Sequence, residues 1–219
     1  MTGSKSWLFV LMERGEIDLE TIIRDLKTQK KLTPSKIRFY WEQMLEALDE
    51  VHQNGVIHAD IKPANFILVK GNLKLIDFGL ACKLEPGQDT IQRDFVGGTK
   101  DFLSPEVYLT HDLNNEKDSS LSRGSKKAGI TVSHKIDIWA LGIILYQWVY
   151  DQKHPYEGMM GGKSTRIKAL TSLDYPVSLE PLGDPLMFDV IKLCLEKRLE
   201  NRPCAKTLLS HPFLNPLSV

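Results

Sequence analysis

The stretch VIHADIKPANFILVKGNLKLIDFGLA, Val56 to Ala81, constrains this chain more than any other. Two β-type runs, FILVK and LKLID, flank Gly71-Asn72, a dipeptide that marks a tight hairpin turn. Before the hairpin, a loop carries Asp60, Lys62 and Asn65 close enough together to converge on one point. After it comes Asp77, set just ahead of Gly79, where the backbone turns freely. Asn65 and Asp77 supply oxygen ligands suited to a hard divalent cation such as Mg²⁺. Asp60 remains to orient a hydroxyl, and the Lys62 ammonium can offset charge on a transferring phosphoryl group. Phosphoryl transfer needs that set, because its catalysis is mostly positioning and charge neutralisation.

The flanking sequence is mainly helical. WLFVLME, from Trp7, reads as a buried strand ended by Arg14-Gly15. Asp18 is an acceptable N-cap for a helix through DLETIIRDLKTQ, and Thr33-Pro34 opens a second, with Pro at its first position. Ile37, Tyr40, Trp41, Met44, Leu45, Leu48 and Val51 recur at helical spacing, and Asn54-Gly55 ends the run. Leu84 to Gly98 reads as a polar loop, and residues 110–135, rich in Asn, Ser, Lys and Gly without a period, as a flexible insertion. Further helices are expected over Ile136–Tyr150, Ile167–Leu173, Leu186–Glu196 and Ala205–Ser210.

Composition narrows the class. In 219 residues, 28 Lys and Arg balance 28 Asp and Glu, so nothing global argues for nucleic acid or a membrane surface. A hydrophobic share of 42% is enough for a real core. Cys82, Cys194 and Cys204 are odd in number and widely spaced, which suits reduced thiols that pack inertly in a cytosolic or nuclear protein. IDIWALGIILYQWVY is short for a membrane span and contains Asp137, so it reads as a buried core helix. Gly161-Gly162-Lys163-Ser164 imitates a P-loop, but Glu157 stands where the first Gly is required and no strand precedes it. A P-loop nucleotidase is thereby rejected, and the stretch reads as a flexible loop.

HADIKPAN and DFG resemble the catalytic loop and metal-binding motif of protein kinases. The likeness continues in order: Ser104-Pro105-Glu106 resembles the APE motif, and Asp137, Trp139 and Gly142 the central helix of the large lobe. Arg202 resembles the Arg that pairs with the APE glutamate, here Glu106, and LLSHPFL the last helix. MERGEIDL, GNLKLIDFGLA and HPF are similar to the monopolar-spindle checkpoint kinases, the threonine-tyrosine kinase group. The resemblance implies an α+β, protein-kinase-like fold over residues 1–219: a last small-lobe strand at 1–12, a hinge at 13–16 and a helical large lobe at 17–215. It implies Asp60 as general base, Lys62 on the γ-phosphate and Asn65 and Asp77 as Mg²⁺ ligands. It implies Met12 as gatekeeper, Glu13 to Gly15 as the adenine-binding hinge and Ile67 as the floor of the adenine pocket. Asp137 is expected to cap backbone N–H groups, His58 to pack beneath Phe78, and Thr99 to bond near Asp60 and line the peptide site. Thr90 and Thr99 are candidate phosphorylation sites.

The implied function is transfer of the ATP γ-phosphoryl to Ser or Thr, and to Tyr under dual specificity, on mitotic checkpoint proteins. ATP, protein substrates and kinetochore proteins are the implied partners, with nuclear or cytoplasmic residence and kinetochore association.

Two departures qualify this. Ala59 stands where most kinases carry the Arg that holds a phosphorylated activation loop. No G-x-G-x-x-G and no Val-Ala-Ile-Lys type strand occurs, so the chain reads as hinge plus large lobe, with Trp7, Leu8, Phe9 and Leu11 forming an exposed apolar edge. Each lost charged phosphate contact costs about 1.5–3 kcal/mol, and tenfold in affinity is about 1.4 kcal/mol. The isolated chain is therefore expected to transfer phosphate negligibly. The rival reading is a non-catalytic, pseudokinase-like scaffold.

Overall fold

The computed structural model describes residues 9–93, 97–108, 130–151, 154–157, 162–173, 175, 177, 179 and 183–215. Trp7, Leu8 and most of the expected insertion lie outside them.

The first elements form where the capping chemistry puts them. Asp18 accepts from the backbone N–H of Thr21 at 2.8 Å and starts α1 (Leu19–Thr28). Thr33 accepts from Lys36 N–H and, with Pro34 in the first turn, starts α2 (Pro34–Gln53). The two-residue strand β1 (Ile17–Asp18) leads into α1, and β2 (Val56–Ile57) follows α2.

The hairpin is β3 (Phe66–Val69) against β4 (Asn72–Leu75), with β1 antiparallel on the outer edge of β3. Its turn is Lys70-Gly71, both with positive φ (50° and 86°), the backbone of a type I′ turn. Asn72 is therefore the first strand residue rather than a turn residue.

Downstream, β5 (Cys82–Lys83) pairs with β2, and β6 (Ile91–Arg93) pairs antiparallel with β7 (Ile130–Val132). The polar loop expected over 84–98 thus contains a strand, and the C-terminal end of the expected insertion supplies its partner. Then follow α3 (Lys135–Tyr150), α4 (Gly162–Thr171), α5 (Pro185–Cys194) and α6 (Ala205–Leu209). Gly162 opens α4, so the P-loop mimic is helical from that residue instead of a loop; Gly161 lies outside the described residues.

α3 is the axis of the core, with 12 of its 16 residues buried. It packs on α2 and α5, while α2 packs on α6 and β4. Among the described residues no helix is long and apolar enough to cross a membrane, and α3 is instead enclosed by its neighbours. Ile57, Leu84, Leu103, Val107, Ile130, Val132 and Ile136 make a second cluster behind the β2–β5 and β6–β7 pairs. The result is an α+β architecture with helices below and short strands along one edge.

Over residues 9–12 no strand is formed. Among the described residues nothing pairs with 9–12, and Phe9, Val10, Leu11 and Met12 are exposed, Leu11 completely. Residues 9–12 have neither ladder nor core to bury them, so Phe9 and Leu11 of the expected edge are exposed. Of the three free thiols only Cys194 is fully buried, and Cys204 is exposed beside Thr207, so it is not a packing residue.

Candidate active site

The centre of the site is a loop held from below by one buried carboxylate. Asp137, on α3 and 1% exposed, accepts from Ala59 N–H through Oδ1 (2.8 Å) and from His58 N–H through Oδ2 (2.9 Å). Its Oδ2 also meets His52 Nε2, in the last turn of α2, at 2.9 Å. These bonds hold Ala59 at a φ of +66°, a left-handed conformation that favours glycine. His58 bonds the Ile76 carbonyl through Nε2, and Phe78 lies edge-on to its ring at 5.0 Å, as the sequence implied.

Asp60 projects from this loop into a dense set of donors. Its Oδ1 accepts from Thr99 N–H (2.9 Å) and Thr99 Oγ1 (3.0 Å); its Oδ2 accepts from Lys62 Nζ (2.6 Å) and Asn65 Nδ2 (3.3 Å). Burial opposes ionisation of the carboxyl, but the Lys62 ammonium and the Thr99 donors outweigh it and hold Asp60 below its usual value. Lys62 Nζ also donates to Thr99 Oγ1 at 3.2 Å, so three side chains form one triangle.

Asn65 and Asp77 reach the site from the two ends of the hairpin. Asn65 donates from Nδ2 to the Asp60 carbonyl (2.8 Å) as well as the carboxylate, which turns Oδ1 away from both bonds. The Asn65 carbonyl accepts from Ile76 N–H at 2.9 Å, so the residue before Asp77 is tied directly to Asn65. Asp77 sits in the left-handed region (φ 65°, ψ 69°), is exposed, and accepts only a long 3.3 Å bond from Gly79 N–H. Among the described residues no cluster of three His, Cys, Asp or Glu could hold a metal by protein atoms alone. An amide oxygen and a carboxylate instead fit Mg²⁺, which keeps water and phosphate ligands beside one or two protein oxygens.

The expected hinge meets its expected floor. Glu16 N–H bonds the Leu68 carbonyl at 2.9 Å, and Lys70 N–H bonds the Glu16 side chain at 2.7 Å, pinning this segment to β3. A Cβ on Gly15 would lie 2.2 Å from Ile67 Cγ2, so only glycine allows this approach. Met12 is 75% exposed and Glu13 is exposed.

Beside Asp60, an open groove of about 640 Å³ runs over Ile23, Lys62, Thr99, Phe102 and Trp148. Behind it the Arg202 guanidinium, fully buried, bonds both oxygens of Glu106 (2.9 and 3.4 Å), as the sequence implied. It also bonds the carbonyls of Glu196 and Lys135 and lies over the Trp139 ring. Sequence reasoning missed His52. A histidine in the last turn of an amphipathic helix carries no mark of its function, and only the need of Asp137 for a further donor could have pointed to it.

Comparison with known proteins agrees with this geometry. The family description "Protein kinase domain" matches residues 1–214. The chain is 36% identical over 211 residues to the dual specificity protein kinase Ttk of Danio rerio, covering 96% of this chain and 20% of the relative. It is 34% identical over 211 residues to the mouse dual specificity protein kinase TTK, covering 96% and 23%. It is 37% identical over 229 residues to the serine/threonine-protein kinase mph1 of Schizosaccharomyces pombe, covering 96% and 32%. The chain therefore spans about a fifth to a third of the length of these relatives.

Proposed function

The chain belongs to the protein kinase family, and from that premise we propose that its site transfers the γ-phosphoryl group of ATP to Ser and Thr hydroxyls of protein substrates. Tyr hydroxyls are included, since two of the similar proteins are dual specificity kinases. The observation that carries the reading is the Asp60–Lys62–Thr99 triangle with Asn65 bonded to its corner.

ATP with Mg²⁺ supplies the phosphoryl group and the cation that neutralises its oxygens. Asn65 Oδ1 and the exposed Asp77 carboxylate would hold the cation, and the Gly15–Ile67 contact would line the adenine side. All four hydrogen bonds to Asp60 come from this chain. A substrate hydroxyl needs one of those places. Lys62 provides it by moving its ammonium from Asp60 Oδ2 to the γ-phosphate, which frees Oδ2 to accept the hydroxyl proton. Thr99 keeps Oδ1 fixed meanwhile. The adjoining groove, with apolar Ile23, Phe102 and Trp148, offers a bed for the substrate chain.

The monopolar-spindle resemblance supports the finer reading: mitotic checkpoint proteins as substrates, kinetochore proteins as partners, and kinetochore residence. In the protein that carries this domain, Asp60→Asn should lower phosphoryl transfer by about 10²–10⁴-fold while Mg·ATP binding persists. Transfer unchanged by that substitution refutes the assignment.

A further inference from the structure

Ser104 is the first residue of the Ser-Pro-Glu motif and is 1% exposed. Its carbonyl accepts from Val107 and Tyr108 N–H at 3.1 and 2.9 Å, opening the helical turn at 105–108. Its hydroxyl finds no partner among the described residues. A buried hydroxyl gives up its hydrogen bonds to solvent on folding, and native proteins satisfy such groups almost without exception. Where the resembled kinase motif has alanine, this chain adds a polar atom to the interior.

Ser104 lines a partly open cavity of about 20 Å³ together with Ala59, Asp60, Thr99, Asp137 and apolar neighbours such as Ile61 and Leu103. One water needs roughly 10–15 Å³ measured this way and two to four polar partners. The volume admits one water molecule. The wall is not purely apolar: Asp137 Oδ1 accepts one bond, from Ala59 N–H, and keeps acceptor capacity. The carbonyls of the loop that carries Asp60 add further acceptors. Anions are disfavoured by the two carboxylates.

We propose that this cavity is a built site for a single water molecule, anchored by Ser104 Oγ, which bridges the Ser-Pro-Glu turn to the loop carrying Asp60. Ser104 is thereby a positioning residue for Asp60 and Thr99; that role, though not the water itself, rests on the kinase reading above.

A crystal structure of the chain at about 1.5 Å should show one ordered water about 3 Å from Ser104 Oγ, also bonded to segment 59–61 or Asp137. No such density, or Ser104 Oγ bonded directly to a protein atom, overturns the site. Amide hydrogen exchange tests the positioning. Ser104→Ala should accelerate exchange at Thr99, whose N–H donates to Asp60, by about tenfold, the loss of one net hydrogen bond. Ile143, deep in α3, should keep its wild-type protection. Equal exchange at Thr99 in both proteins overturns the positioning role. Should Ser104→Ala fail to fold, the wild-type density decides alone. Neither readout involves catalysis, so failure here and failure of the kinase assignment are separable.

Discussion

Ala59 and Asp137 together show how one residue's strain is held by another's charge. A non-glycine residue at a φ of +66° costs about 1–2 kcal/mol. Asp137 offsets this by accepting the N–H of the strained residue itself and that of His58 before it. Asp137→Asn replaces one of the two acceptor oxygens with an amide donor that faces a backbone N–H, so it should destabilise the fold by about 3 kcal/mol in denaturant melts. Ala59→Gly relieves the strain at an entropic cost of similar size and should fall within about 0.5 kcal/mol of wild type. Ala59→Val, β-branched at positive φ, should cost about 2 kcal/mol. If valine were tolerated as well as glycine, the strained backbone would not be what the carboxylate holds. At this scale the sequence was legible where a motif fixed the residue type: Asp137 caps the backbone of the loop carrying Asp60, Asn65 bonds Asp60, and Glu106 pairs with Arg202. His52 was not, because its function depends on a partner 85 positions away.

At the scale of elements, the α3–α5 contact is the tightest feature. A Cβ on Gly142 would lie 2.5 Å from Cys194 Cβ and 3.0 Å from Leu195 Cδ2. Both neighbours belong to the fully buried end of α5 and cannot swing aside. Gly142→Ala should therefore force the helices apart and lower stability by about 1–3 kcal/mol, although alanine is the better helix former. Cys194→Gly removes the obstructing Cβ, and the double variant should recover part of the steric loss, a coupling that a double-mutant cycle reads directly. The starts of α1 and α2 were legible because the caps are local chemistry: Asp18 and Thr33 each accept a backbone N–H three residues on, whereas α4 begins at Gly162, five residues before the expected Ile167. The β6–β7 pair was not legible. Ile91 and Val132 are neighbours only across the intervening chain, and three-residue strands leave no period to read.

Across the whole molecule, the site is the junction of the loop after α2, the hairpin, the segment from Thr99 to Glu106, and α3. Its ionisation should mark the acid limit of the fold. Asp60 titrates below the ordinary value of 3.8, so its stabilisation is complete above that value and is lost as the pH falls through the lowered one. Wild type should therefore outlast Asp60→Asn at neutral pH, and the gap in melting temperature should close below about pH 4. A gap that widens on acidification would reverse the sign of the argument. The architecture was legible as mainly helical with an edge of strands. The apolar segment at 9–12 is exposed, because β propensity alone does not supply a strand to pair with.

If Asn65 and Asp77 hold a nucleotide-bound divalent cation beside Asp60, Mn²⁺·ATP should broaden amide NMR signals at those residues. Selective loss of the amide signals of Asn65, Asp77 and Gly79 is expected, with α5 and α6 unaffected, and recovery of the Asn65 and Gly79 signals in Asp77→Asn. Broadening centred elsewhere, or unchanged by Asp77→Asn, would contradict that site.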